Sequence, residues 1–177
     1  RLFSAFKKGD GNILKEIIKI FKENKLNVVN SMKFTPELIF KDKSINKLKI
    51  NNADKSSISK GVKIIKSLSK FDIGQSVVIN NGYVLAIEGP EGTDETIKRS
   101  LHLSKKYKLK NKSILIKFPK TNQDLRIDLP TIGFDTIKNC IKANIKGIAV
   151  KRSQNIILDK DKIINLAKKN NFFIISI

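Results

Sequence analysis

The sequence predicts a mixed α/β fold, a sheet covered by helices, and three observations carry that prediction. Short β-branched runs, QSVVI at 75–79, SILIKF at 113–118 and FFIISI at 172–177, alternate with amphipathic stretches of helical period. Turn signals separate them, the clearest being Asn80-Asn81-Gly82 between QSVVI and YVLAIEG, a hairpin signature. The 177 residues, 40% hydrophobic and 29% charged, suit one ordinary globular domain, or one domain and part of another.

The elements follow in order. Residues 12–24 place Ile13, Leu14, Ile17, Ile18 and Phe21 at helical spacing, with Asp10 and Asn12 as candidate caps. LNVVN at 26–30 reads as a short strand, and FTPEL opens a helical turn with Pro36 near its first position. Asp42 to Asn52 is polar and weakly patterned, which suggests a linker. The expected organisation is therefore two units. Residues 1–52 are the C-terminal remnant of an N-terminal α/β domain plus linker, and 53–177 form a second α/β domain. The second unit opens with a helix carrying Ile58, Val62, Ile65 and Leu68 on one face, with Asp54 as its cap. The hairpin follows, then a glycine-rich turn, EGPEGTDE, feeding a helix through Ile97 and Leu101. After SILIKF come a helix with Ile137, Cys140 and Ile141 inward, the strands GIAV and NIIL, a helix capped at Asp159, and the last strand.

The formal net charge is +20, from 36 Lys+Arg against 16 Asp+Glu. Arginine stands only at Arg1, Arg99, Arg126 and Arg152, and Ile and Asn are abundant, so the lysine excess reads as compositional drift. A selected nucleic-acid interface favours arginine for bidentate contacts. The charge still suits approach to an anionic membrane surface. With one cysteine, Cys140, and one histidine, His102, neither a disulfide framework nor a Cys/His zinc site is expected. Cys140 fits a small core residue and His102 a surface or helix-packing one. No apolar run reaches the roughly 18 residues that span a bilayer, and no signal peptide is visible, so the expected location is cytoplasmic. The chain starts at Arg1, which reads as a fragment or processed product.

Two polar clusters are candidates for chemistry. In Glu88 to Glu95 a glycine turn leads from strand to helix, a place that suits phosphate. Its acids Glu88, Glu91, Asp94 and Glu95 repel phosphate unless a divalent cation sits between, and Mg²⁺ favours one or two carboxylates plus phosphate oxygens. The plainer account is that acids in a helix's first turn offset its dipole. In the second cluster Leu125, Ile127 and Leu129 alternate with Asp124, Arg126 and Asp128, which reads either as a half-buried strand with a charged outer face or as groups aimed at a ligand. If straight, the strand separates Asp124 and Asp128 by about 13 Å, too far for one ion. Lys117 and Lys120 lie at the end of SILIKF, where lysine can neutralise phosphate. There is no Ser/His/Asp triad, Walker loop or dinucleotide fingerprint. An enzyme built from these residues would do phosphoryl or nucleotidyl chemistry through a cation and charged side chains.

Together DIGQSVVINNGYVLAIEGPEGTDETIKR, ILIKFPKTNQDLRIDLPTIGFDTI, GIAV and LD, in that order, resemble the LpxI family of UDP-2,3-diacylglucosamine pyrophosphatases. The resemblance is dense over 72–177 and looser over 1–40; Pro90 in EGPEG departs from it. It implies two α/β domains with substrate between them, and Mg²⁺-dependent hydrolysis of UDP-2,3-diacylglucosamine to lipid X and UMP by water attacking the α-phosphorus. The catalytic residues it implies are Asp128, then Asp124, with Arg126. Mg²⁺ would be held by Asp128, Glu91 and Asp94, and substrate would meet Gln123, Lys117, Lys120, Thr131, Gly92 and Thr93. The expected partners are this nucleotide-lipid and its product, the inner face of the cytoplasmic membrane, no nucleic acid, and a second copy in a homodimer. The competing readings are a basic nucleic-acid- or membrane-binding protein and a regulator that binds a nucleotide-lipid without cleaving it.

Overall fold

The computed structural model describes residues 10–46, 48–121 and 123–177, with side chains from residue 13 onward. In chain order the elements are α1 (Asp10–Glu23), α2 (Asn52–Leu68), β1 (Ser76–Asn80), β2 (Tyr83–Ile87), α3 (Gly92–Lys106), β3 (Ser113–Lys117), β4 (Thr131–Ile132), α4 (Phe134–Lys142), β5 (Ile145–Val150), β6 (Ile156–Ile157), α5 (Lys160–Lys169) and β7 (Phe173–Ser176). Single 3₁₀ turns stand at Ser31–Lys33 and Pro36–Leu38. The caps expected at Asp10 and Asn12 fall outside the residues whose side chains are described.

A mixed five-stranded sheet, ordered β2-β1-β3-β5-β7, organises the fold. The hairpin β1–β2 and the β1–β3 pair are antiparallel, while β3–β5 and β5–β7 are parallel and joined through α4 and α5. The hairpin turn uses Asn81 and Gly82, both at positive φ (45° and 83°), as a two-residue turn of this hand requires. β1 and β3 are buried along their whole length, which explains their continuous apolar runs. The period-2 alternation divides them between two cores. Val78, Leu115, Ile148 and Ile174 face Ile97, Ile137, Cys140 and Ile163 of α3, α4 and α5. Val77, Ile79, Ile114 and Ile116 face Ile58 and Ile65 of α2. A side chain at Gly61 would meet Ile116 at 2.8 Å, so its absence lets α2 lie close on the sheet. α2 begins with a reciprocal capping box: Asn51 accepts from the Asp54 N–H and Asp54 from the Asn51 N–H. Asp54 therefore completes the cap from the third helical position.

Two expectations fail here. Residues 26–30 form no strand; Leu26 and Val29 stay exposed, because β-propensity acts only where a neighbouring strand offers pairing and cover. The stretch read as a linker is also woven into the fold. Ser44 bridges Ile175 of the β7 edge, the Ile45 N–H donates to the Ile174 carbonyl at 3.0 Å, and Asn46 Nδ2 donates to the Phe172 carbonyl. Polar residues that look unpatterned in sequence here cover the unpaired groups of an edge strand.

Candidate active site

The turn between β2 and α3 is held from beneath. Glu88 is 6% exposed, and its carboxylate accepts from Ser76 Oγ at 2.5 Å and Thr93 Oγ1 at 2.7 Å. Thr93 Oγ1 in turn accepts from Lys117 Nζ at 3.0 Å, and that ammonium also donates to the Thr131 carbonyl at 3.0 Å. Burial lowers the Lys117 pKa; the negative charges of Glu88, Asp94 and Asp128 oppose that shift. Gly92 adopts φ +79° as the chain turns into α3. Glu91 swings the other way and accepts from Arg99 at 2.5 Å and Thr96 at 3.3 Å. A hydrogen bond from its own backbone N–H, followed by Arg99, holds its carboxyl below the usual range. Asp94 and Glu95 stand exposed in the first turn of α3, where the helix dipole favours them, and Glu95 pairs with Lys98.

Gln123 to Leu129 is not a strand. The N–H groups of Ile127 and Asp128 donate to the Asp124 carbonyl at 3.2 and 3.0 Å, closing a single helical turn. The Arg126 N–H donates to Asp124 Oδ1 at 3.0 Å, and its guanidinium forks onto the same carboxylate through Nε at 2.9 Å and Nη2 at 2.6 Å. An aspartate that satisfies its own backbone in this way competes with ladder formation, and no neighbouring strand is there to win. The curl brings the Asp128 N–H to 3.0 Å from the Asp124 carbonyl, so the two aspartates no longer stand about 13 Å apart as in an extended chain. Arg126 is the largest cause that holds the Asp124 carboxyl below its usual range. Upstream, Gln123 Oε1 accepts from the Lys120 N–H at 2.8 Å, and Lys120 Nζ pairs with Asp72. Downstream, the buried Pro130 leads into β4, which pairs in parallel with β6.

Asp128 lines two adjoining cavities. One, of about 160 Å³, holds Asp72, Lys120, Gln123, Asp124 and Ile127 beside Leu14 and Lys15 of α1. The other, of about 390 Å³, holds Asp72, Gly74, Gln75, Glu88 and Lys120. Gln75 Oε1 and Gln123 Nε2 are buried without hydrogen-bond partners in the protein. A third cavity, of about 420 Å³, shares Lys120 and Gln123 and is walled by Val62, Phe118, Pro119, Leu125 and Ile177. It continues past Val62 and Ile177 into an apolar recess of about 380 Å³ lined by Ile50, Ile58 and Ile175. Lysines 55, 63, 66 and 151 stand along this groove.

Of the residues expected at the site, Asp128, Asp124, Gln123 and Lys120 meet at these cavities. Arg126 lies outside them on Asp124; the half-buried Thr93 and the buried Lys117 form the support, and Thr131 offers it a carbonyl. Gly92, Glu91 and Asp94 line neither cavity that Asp128 lines. The expected trio of Asp128, Glu91 and Asp94 is not assembled, because Arg99 and the first turn of α3 take the last two. Among the described residues no three His, Cys, Asp or Glu side chains gather as a metal site. Asp128 and Glu88 do share a cavity, and two carboxylates fit Mg²⁺ that also takes phosphate oxygens and water. Sequence reading missed Asp72, Gln75 and the placement of Glu88. Asp72, at φ +59°, and Gly74, at φ +47°, turn the chain under the site. An Asp-x-Gly sequence was the one available signal.

Residues 41–175 match the LpxI C-terminal domain family. Over 99% of its length the chain is 27% identical to the UDP-2,3-diacylglucosamine pyrophosphatase LpxI of Caulobacter vibrioides, and it spans 64% of that protein. With the family match covering most of its residues, the chain belongs to the LpxI C-terminal domain family.

Proposed function

We propose that this chain carries the phosphate-cleaving part of a hydrolase. The enzyme splits the diphosphate of UDP-2,3-diacylglucosamine in lipid A synthesis, yielding lipid X and UMP. One observation carries the reading: a polar cavity bearing Asp128 and Glu88 meets, at Lys120, a groove that becomes apolar beyond Val62 and Ile177. A charged diphosphate joined to acyl chains needs that succession of surfaces, and the named relative acts on such a molecule.

In this reading water adds to one phosphorus of the diphosphate, the bond from that phosphorus to the bridging oxygen breaks, and the bridging oxygen leaves on the other phosphate, so that UMP and the sugar phosphate separate. Asp128 and Glu88 would hold Mg²⁺, which when bound polarises the phosphorus and acidifies water. Asp128 lies at the wall of both polar cavities and orients the attacking water. Lys120, at the mouth of the groove, neutralises the sugar phosphate as a point charge. Gln123, with its unpartnered amide N–H, donates to the nucleotide-lipid, and Arg126 keeps Asp124 ionised and in place. No helix among the described residues is long and apolar enough to cross a membrane. The lysines along the groove would instead meet anionic headgroups at the inner membrane face, from which the substrate is drawn.

The test uses protein of the length its gene encodes, with Mg²⁺ and the nucleotide-lipid, and measures UMP. Asp128→Ala should lower the rate at least about 100-fold, the scale of losing one preorganised charged group. Full rate in that variant removes Asp128 from the mechanism. Release of intact nucleotide-lipid from purified wild-type protein, with no UMP formed, favours a regulator.

A further inference from the structure

We propose that Lys117 is a positioning residue, an internal clamp that fixes Asp128 by tying the β2–α3 turn to the start of β4, and not a group that grips the diphosphate. The proposal rests on the hydrolase reading above. Lys117 is 6% exposed and lines neither of the cavities that hold Asp128. Two of its three N–H donors are engaged, on Thr93 Oγ1 and on the Thr131 carbonyl, each at 3.0 Å.

The direction of donation is consistent along the whole chain of groups. Lys117 donates to the Thr93 hydroxyl, which donates to Glu88, whose carboxylate also accepts from Ser76. A buried ammonium is thereby linked to a buried carboxylate through one hydroxyl, so neither charge is left uncompensated. The clamp joins the ends of β1, β2, β3 and β4 and the start of α3. Thr131 lies three residues beyond Asp128, with Leu129 and the φ-restricted Pro130 between. A shift of the Thr131 carbonyl is therefore passed to Asp128 with little slack. Thr131 is further pinned by parallel pairing with Ile156. Lys117 is the side chain that ties this strand end to the glycine turn.

Thr93→Val keeps the volume and removes the hydroxyl; Lys117→Met removes the ammonium. Both are assayed for UMP release in protein of the length its gene encodes. Each should lower kcat roughly 10- to 100-fold, the effect of misplacing a group by about 1 Å, with KM within about twofold. Thr93→Ser, which restores the hydroxyl, should recover most of the Thr93→Val loss. A tenfold rise in KM at unchanged kcat would overturn the clamp, since it marks a substrate contact; so would full kcat in both variants. If Lys117→Met does not fold, the Thr93 pair decides. A wild-type protein that releases no UMP defeats the hydrolase reading instead. The clamp is then judged by amide exchange at 128–132: faster exchange in Thr93→Val upholds it, and unchanged exchange overturns it.

Discussion

The β2–α3 turn and the β3–β4 connection carry most of the acids that could do chemistry, and they use them differently. In the turn, Glu88 is buried under two hydroxyl donors, Glu91 is held by Arg99, and Glu95 pairs with Lys98. In the connection, Asp124 closes a single helical turn on itself and on Arg126, and Asp128 is left at the wall of two cavities. The first region is mainly a support, with Glu88 reaching the cavity that Asp128 also lines, and the second is a working surface. Acidity along the chain does not separate them; the partners do.

Three measurements sharpen or break that contrast. The largest effect is expected at Gly74, beneath the support. An alanine Cβ there would lie 2.1 Å from the Glu88 carbonyl oxygen, in a backbone of φ +47° that disfavours a side chain. Gly74→Ala should cost about 3 kcal/mol or more in urea unfolding. A loss under about 1 kcal/mol would show the turn to be pliable and erase the distinction.

Hydrogen exchange gives the next effect. The amides within α3, packed over Ile97 in the core, should exchange about 100-fold or more slowly than those of Ile127 and Asp128, whose one turn rests on few buried contacts. Equal protection would make the connection as rigid as the support.

The smallest effect is electrostatic. Arg126→Ala should let the Asp124 pKa rise to the ordinary aspartate range, followed by carboxyl-carbon NMR. The sign follows from linkage. A depressed folded pKa adds stability that is present above the unfolded aspartate value, about 3.9, and is lost as pH falls through the lower folded value. The gain is slight because the pair is largely solvent-exposed and screened. An Asp124 titration unmoved by the substitution would detach Arg126 from it.

The contrast also explains what could be read in advance. The strands β1, β3, β5 and β7 and the helices α2 to α5 were legible because each is a local period matched to burial. Cys140 likewise fell on the apolar face of α4, and burial pushes its thiol far above its ordinary range, as an inert core residue requires. The reading failed where a period met no partner. LNVVN and Gln123–Leu129 both look like strands, and neither has a neighbour to pair with. Of the residues that line the candidate cavities, Asp128, Asp124, Gln123 and Lys120 belong to one continuous motif of the sequence. Asp72 and Gln75 were missed because they come from a different part of the chain, and Glu91 was favoured over Glu88 because sequence does not show which carboxylate Arg99 reaches.

By itself the sequence determined the alternation of strands and helices, the hairpin, the inert cysteine and the motif that carries the family resemblance. All of these follow from neighbours along the chain, through side-chain period, turn chemistry and residue order. Tertiary structure alone decided which acids face a cavity, which are held as supports, and where the apolar groove meets the polar one. Those outcomes depend on distances between residues far apart in sequence, such as Ser76 with Glu88 and Lys117 with Thr131, and only packing of the sheet sets such distances.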